Sequence, residues 1–487
     1  MLKFVLQYFL IDSGYDLHRD EYLHLDQANH LAWGYMSVPP FTSWISYVIK
    51  ILGNAVFWVK FFPALFGALT IVVVWKAVEV LEGSFYALIL SATCVLFSAL
   101  LATNTLYQPN SFEILCWTTF NFMLIKYFKT ENSKWLYMTA LVFSAGFLNK
   151  YNIIFPVIGL FPAILLTRTR KILTKKDFYG MIAVALLFIL PNLVWQYQHH
   201  FPVFHHLKEL TDTQLIHVER LDFLKQQLLF FAGALFVILS ALYALLFYKP
   251  FEKYKVFFWA LLFTLLCFVY FRAKGYYAMG LYPVYISFGA VFLGDRLRKG
   301  FLKPVLMIFP ILFFMLMCRF AFPIKSPEQF ANDARTYRWE DGKYHSLPQD
   351  FADMLGWKEL AASVDHICSE LPDIENTIIL CDNYGQAGAV NYYTKNRKVI
   401  AHSFSADYIN WFRLDKKIKD VVLVKVTAYD NDREREKESP LFEAVYLAGQ
   451  RINQYAREDT ISIYVLKGAK VDINKIIENE INRITDE

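Results

Sequence analysis

The chain has 487 residues, of which 56% are hydrophobic, 18% aromatic and only 19% charged. That balance is too apolar for an ordinary water-soluble protein of this length and places the chain among polytopic membrane proteins. The net charge of +5, divided by side of the membrane as set out below, gives no footprint for a nucleic-acid partner.

A bilayer core about 30 Å thick takes about 20 helical residues to cross. The apolar opening, Leu2 to Ile11, rises only about 15 Å as a helix, roughly half a span. It carries a lysine and no small-residue cleavage site, which argues against a removed signal peptide. Next come Arg19-Asp20-Glu21 and a loop, 12 to 53, that passes through Pro39-Pro40. Within it Trp44, Tyr47, Val48 and Ile51 have helical spacing, the pattern of a helix lying along an interface. Apolar segments predict further spans at 57–80, 84–103, 111–128, 135–148, 153–166, 178–195, 227–248, 256–271, 276–294 and 305–322. With the opening segment the total is about eleven. Cys94, Cys116, Cys267 and Cys318 fall inside these segments and read as packed thiols. Cys368 and Cys381 match no metal spacing.

Lys and Arg alternate along the loops. Lys126, Lys129 and Lys134 share one loop; Arg168, Arg170, Lys171, Lys175 and Lys176 the next but one; then Lys249, Lys253 and Lys255; then Arg296, Arg298, Lys299 and Lys303. The intervening loop 104–110 has no Lys or Arg, and in 196–226 Lys208, Arg220 and Lys225 are balanced by Glu209, Asp212, Glu219 and Asp222. This bias puts the basic loops in the cytoplasm and Arg19-Asp20-Glu21 outside. About eleven spans then leave the C-terminal tail outside as well.

From Pro323 the composition becomes that of a soluble domain. Thr377 to Cys381, Lys398 to Ala401, Val421 to Val426 and Ser462 to Leu466 read as strands, with helical patterns at 354–370 and 385–393. The predicted organisation is a transmembrane domain, 1–324, and an outer α/β domain, 325–487. Gly385 and Gly388 follow the first strand, where helix-terminal amides can hold an anion, although an ordinary tight turn is the favoured account of them.

Three outer-face features carry chemistry. Adjacent Asp20 and Glu21 diverge by about 100° on a helix, so that one can act while the other supports it; alternatively Asp20 pairs with Arg19 or caps a helix. Lys150, Arg272 and Lys274 lie on the side where the loop bias disfavours cations, and a phosphate would give them a reason to be there. Snorkelling anchors are the competing explanation. Glu113 is a further acid near the outer end of its segment. The histidine-rich loop, with His199, His200, His205, His206 and His217, has no zinc spacing and reads as a polar loop.

An ordered set of residues resembles bacterial family 39 glycosyltransferases, GT-C-type enzymes related to protein O-mannosyltransferases and aminoarabinose transferases. The set comprises Gly14-Tyr15-Asp16-Leu17-His18-Arg19-Asp20-Glu21-Tyr22, His30-Leu31-Ala32-Trp33-Gly34-Tyr35, Pro39-Pro40, then Asn192, Trp195, Gln196, Phe201 and Pro202. It continues through Lys274-Gly275-Tyr276-Tyr277 to Asp382-Asn383-Tyr384-Gly385-Gln386-Ala387-Gly388-Ala389, so it spans nearly the whole chain. Two features depart from the family. Ser37 and Val38 stand where aminoarabinose transferases carry an acidic and a basic residue, and the opening helix is short.

The resemblance implies a helical bundle of GT-C type that moves a sugar from a polyprenyl-phosphate carrier to a glycan, lipid or protein acceptor, with inversion, on the outer face of a bacterial inner membrane. By position Asp20 matches the family's catalytic aspartate and Glu21 its neighbour. Lys150, Arg272, Lys274 and Arg19 are then candidate contacts for the donor phosphate, and Glu113, Tyr276 and Tyr277 candidates for lining the cavity. No metal ligand is assigned and no cofactor is required, a divalent cation being compatible. A flippase or transporter of lipid-linked sugars is the alternative, but such proteins place ionisable groups near the midplane, and 84–103, 227–248 and 256–271 contain none. A nucleotide-sugar enzyme is disfavoured, because the D-x-D pattern Asp430-Asn431-Asp432 sits in a charged run of the tail.

Overall fold

The computed structural model describes every residue except Gln214, Arg298, Lys299, Ala334, Asp341, Arg397, Val399 and Glu487. The basic-loop residues Arg298 and Lys299, and Val399 of the strand expected at 398–401, therefore lie outside the described residues. By its contacts the chain divides into two units, one of Met1–Leu10, Ala32–Thr42 and Phe57–Phe322, the other of Ile11–Leu31, Ser43–Val56 and Pro323–Glu487.

The first unit is a helical bundle, and a helix stands at each of the ten predicted spans. Five helices among the described residues are long and apolar enough to cross a bilayer: Val56–Val80, Lys176–Gln198, Lys249–Tyr270, Gly275–Arg296 and Leu302–Ala321. Two bent pairs, Tyr151–Leu166 with Arg168–Thr174 and Arg220–Phe230 with Ala232–Phe247, raise the number to seven if each counts as one span. The remaining predicted spans are shorter or more polar, and local hydrogen bonding shows why one of them breaks. In 84–103 the helix Phe85–Leu96 stops where Ser98 Oγ donates to the Val95 carbonyl at 2.8 Å, and a separate turn starts at Leu100. The opening helix, Leu2–Phe9, is short as its sequence implies. It is anchored by buried Lys3, whose Nζ donates to Asn104 Oδ1 at 2.8 Å, and by Gln7, which donates to the Asn104 carbonyl.

The second unit is built on a five-stranded sheet of order β4-β3-β5-β7-β6, with β3 Thr377–Cys381, β4 Ala401–Ser403, β5 Asp420–Val426, β6 Phe442–Ile452 and β7 Thr460–Ala469. A separate antiparallel pair joins β1 Tyr337–Arg338 to β2 Tyr344–His345. In the main sheet β4, β3 and β5 are parallel, and β7 and β6 are antiparallel additions. The strand predicted at 398–401 forms later, at Ala401. Edge strand β6 has no counterpart in the sequence reading because most of it faces solvent and a register shift between Leu447 and Gly449 breaks its alternation. Helices Trp357–Ser369 and Tyr384–Tyr393 match the predicted patterns, and Ile473–Asp486 adds one more.

The loop 12–53, expected with the helical domain, divides between the units, and 11–31 and 43–56 group with the tail. Hydrogen bonds are the reason. Asp12 N–H donates to the Pro323 carbonyl and Asp16 N–H to that of Met354, each at 2.7 Å. Asp26 Oδ2 accepts from Tyr408 Oη at 2.7 Å and from Asn391 Nδ2 at 2.8 Å. The helix Arg19–Asp26 also lies directly against Tyr384–Tyr393 at Gly388, where a Cβ would come within 2.7 Å of Tyr22 Cβ and 2.8 Å of Tyr408 Oη. Gly388→Ala is therefore expected to destabilise this unit by about 1–3 kcal/mol. The check is earlier proteolysis of 323–487 in the detergent-solubilised chain on heating, and an unchanged digestion temperature would disprove the contact.

Candidate functional site

Asp20 sits in the first turn of the helix Arg19–Asp26. His18 is the N-cap: its Nδ1 accepts the Asp20 N–H at 3.2 Å, while Glu21 accepts the His18 N–H at 2.7 Å, completing a capping box. The two acids thus part as their helical spacing implies. Glu21 is fully buried within the cap, whereas the Asp20 side chain is 36% exposed.

Asp20 Oδ1 accepts from the Tyr384 hydroxyl at 2.7 Å, and Oδ2 lies 3.8 Å from His18 Nδ1. Arg19 stacks over the Tyr384 ring, 4.7 Å from its centroid, and reaches within 3.9 Å of Asp353. Its Nε is buried without a hydrogen-bond partner. Burial alone would raise the Asp20 pKa, but His18, the Arg19 guanidinium and the Tyr384 hydrogen bond outweigh it and hold the carboxyl below its ordinary value. For Asp353 burial wins, and its pKa is raised although His18, Arg457 and Arg19 lie close by. One carboxylate is thereby kept ionised and partly open, while its neighbour is enclosed and held by Arg457 at 3.0 Å.

Tyr384, which stands out in the sequence only through the resemblance, is the hydrogen-bond partner of Asp20. Asn383 caps the helix Tyr384–Tyr393, its Oδ1 accepting from Gly385 N–H at 3.0 Å and Gln386 N–H at 3.2 Å. The amides considered for an anion are therefore occupied, and Gly385 and Gly388 serve helix packing instead. Neither Asp353 nor Glu458, which accepts from Asn383 Nδ2 and Gln386 Nε2 at 2.8 Å each, carries any signal in the sequence, because acids are common in a polar tail and neither belongs to a recognisable motif.

His18, Asp350 and Asp353 each bring one donor atom within 4.8 Å of the others, a set that could take a divalent cation. The two arginines beside Asp353 compete for the same charge. The histidine-rich loop contributes to no three-ligand group among the described residues. There His199 stacks on Trp195 at 4.1 Å and its Nδ1 lies 2.8 Å from the Trp195 carbonyl; the His217 side chain lies outside the description.

In the helical unit, Lys150 gathers several of the other candidates. Its Nζ lies 3.2 Å from Glu113 Oε2, donates to Asn110 Oδ1 at 2.7 Å, and faces the rings of Tyr276 and Tyr277 at 5.4 and 4.7 Å. Glu113 is 6% exposed and its Oε1 has no hydrogen-bond partner. Arg272 is more exposed, adopts a left-handed backbone with φ 52°, and donates to the Ile216 carbonyl at 3.4 Å. Lys274 precedes the turn Gly275–Leu281 that carries the two tyrosines.

The same unit explains why several residues of the resemblance occur together. Asn192 Nδ2 donates to the Trp33 carbonyl at 2.7 Å, and its Oδ1 accepts from Tyr151 Oη at 3.1 Å. Gln196 donates to that same hydroxyl at 2.9 Å. A Cβ on Gly34 would fall 2.3 Å from the Trp195 ring, so only glycine lets the loop lie against it.

A family model described as dolichyl-phosphate-mannose-protein mannosyltransferase matches residues 37–195. A lipid A galacturonosyltransferase, RgtD, of Rhizobium johnstonii is 25% identical over 198 residues, 38% of this chain and 41% of that protein, so the match spans less than half of the relative. Among solved structures, ArnT from Cupriavidus metallidurans bound to undecaprenyl phosphate superposes with a TM-score of 0.62 at 11% identity, over 95% of this chain and 96% of that one. Its apo form gives 0.60 at 12% identity with the same coverage. The oligosaccharyltransferase of Archaeoglobus fulgidus tethered to an acceptor peptide gives 0.51 at 10% identity, over 86% of this chain and 68% of that one. At such identities the structural likeness speaks for the fold.

Proposed function

We propose that this chain, a multi-pass membrane glycosyltransferase of GT-C type with a C-terminal sheet domain, transfers a sugar from a polyprenyl-phosphate donor to an acceptor hydroxyl on the outer face of the membrane, with Asp20 as general base. The observation that carries the assignment is the state of Asp20: an ionised, partly open carboxylate that accepts from Tyr384 on a helix start capped by His18, beside a second acid whose capacity is taken up by the same cap. The binding of undecaprenyl phosphate by the structurally similar ArnT supports the class of donor.

In this reading the acceptor oxygen attacks the anomeric carbon from the face opposite the phosphate. The bond from that carbon to the phosphate oxygen breaks, its electron pair stays on the phosphate, and the acceptor proton passes to Asp20. Because its pKa is depressed, Asp20 is a weak base that takes the proton as the attacking oxygen becomes positive. Glu21 holds the helix start. Lys150, Arg272, Lys274 and Arg19 supply cations for the departing phosphate, and Glu113, Tyr276 and Tyr277 set the position of Lys150. The acceptor is a glycan, lipid or protein, and the orientation follows the loop charges, with Asp20 outside a bacterial inner membrane.

Reconstitution in proteoliposomes with a radiolabelled polyprenyl-phosphate sugar tests this reading. Transfer predicts release of polyprenyl phosphate together with a labelled acceptor in an envelope extract. Labelled lipid crossing the bilayer without a glycosylated product would instead establish a transporter.

A further inference from the structure

The Pro109–Thr130 helix has Glu113 near its start and Tyr127 and Phe128 near its end. At that far end a cavity of about 650 Å³ opens among the basic turns of the helical unit. Arg168, Lys171, Lys175, Lys249, Lys253 and Lys255 line it, against two carboxylates, Glu131 and Glu252. Glu252 is taken by Arg168 at 2.9 Å and Glu131 by Lys175 at 3.2 Å. Lys171, Lys249, Lys253 and Lys255 have no ion pair among the described residues. Positive loop bias accounts for basic residues at this end of the bundle. It does not account for their convergence on a cavity whose other walls are Tyr127, Phe128, Leu166 and Trp259.

A second observation shows what would approach from the side. On the helix Ile154–Leu166, Ile158, Phe161 and Leu165 are 46%, 56% and 47% exposed. Their spacing puts them on one face, so an apolar stripe runs along the bundle surface to Leu166 at the cavity wall. A free anion would need only the cations, whereas a lipid would use both the cations and the stripe.

We propose that this cavity seats the headgroup of an anionic phospholipid, its phosphodiester between Lys171, Lys249 and Lys255 and its acyl chains along Ile158, Phe161 and Leu165. Under the orientation given by the loop charges, the lipid belongs to the cytoplasmic leaflet, where basic pockets between transmembrane helices hold such headgroups. The site is independent of the transfer chemistry and of Asp20.

The test uses the full chain in nanodiscs of phosphatidylcholine doped with either brominated phosphatidylglycerol or brominated phosphatidylcholine. The fluorescence of Trp259, taken as the difference from a Trp259→Phe variant, is expected to be quenched by the brominated phosphatidylglycerol well before the brominated phosphatidylcholine. Combined Lys171→Gln, Lys249→Gln and Lys255→Gln substitutions are expected to weaken that preference roughly 100-fold. Equal quenching by the two lipids overturns the proposal, and this comparison needs only the unmodified headgroup site. An undiminished preference in the triple variant also overturns it. So does displacement of the lipid by millimolar glycerol 3-phosphate, which would mark a site for soluble anions.

Discussion

Asp20→Asn is expected to lower the transfer rate by about 10²–10⁴-fold, the usual worth of a positioned general base, while leaving the protein folded. The asparagine retains the shape and can still accept from Tyr384, whose hydroxyl lies 2.7 Å from Oδ1, so the loss should fall on kcat and not on donor KM. Tyr384→Phe should cost less, about 10-fold, because His18 and Arg19 still flank the carboxylate. The pH dependence follows from the direction of the shift. The folded pKa of Asp20 is depressed, so its ionised form, and the stability that form contributes, are complete above the unfolded value near about 3.9 and are lost as pH falls through the lower folded value. No acid limb assignable to Asp20 should appear between about pH 5 and 8. Steady-state kinetics of the purified variants measure all of this. Full activity in a folded Asp20→Asn protein would remove Asp20 from the reaction.

Replacing Lys150 with Met should have the largest effect on stability, about 3–5 kcal/mol, because it leaves a buried carboxylate without its counter-charge. Glu113 is 6% exposed, and one of its oxygens already lacks a partner. The double change Lys150→Met with Glu113→Gln should recover most of that loss, since neither charge is then left alone. If Lys150 also holds the departing phosphate, the double variant, though folded, should remain about 10²–10³-fold slow, as when one stabilising donor is removed from a developing charge. Thermal unfolding in detergent reads the first effect and turnover at saturating donor the second. A folded double variant with normal turnover would confine Lys150 to a structural role.

What the sequence could convey depended on whether the signal was local. Apolar runs placed a helix at every predicted span, because burial in lipid demands a continuous run of residues. They did not locate the break at Ser98, where one hydroxyl competes for a backbone carbonyl. The divergence of Asp20 and Glu21 was legible from helical geometry, and the cap that occupies Glu21 needed only three neighbouring residues. Tyr384, Asp353 and Glu458 were not legible as partners of this region. Nothing in the periodicity of a tail betrays contact with a loop more than 300 positions earlier, as the Tyr384–Asp20 hydrogen bond shows. Edge strand β6 escaped for a related reason, as its exposed face does not require the alternation that marks a half-buried strand.

The union of 11–31 with 323–487 in one compact unit also sets the timetable of biogenesis. Asp26 leaves the ribosome long before Asn391 and Tyr408, the residues that donate to its Oδ2. The early segment must therefore wait, without its tail partners, while every intervening helix is inserted. A chain interrupted late in synthesis would carry a finished bundle and a loop without its partners, a clear mark for quality-control proteases.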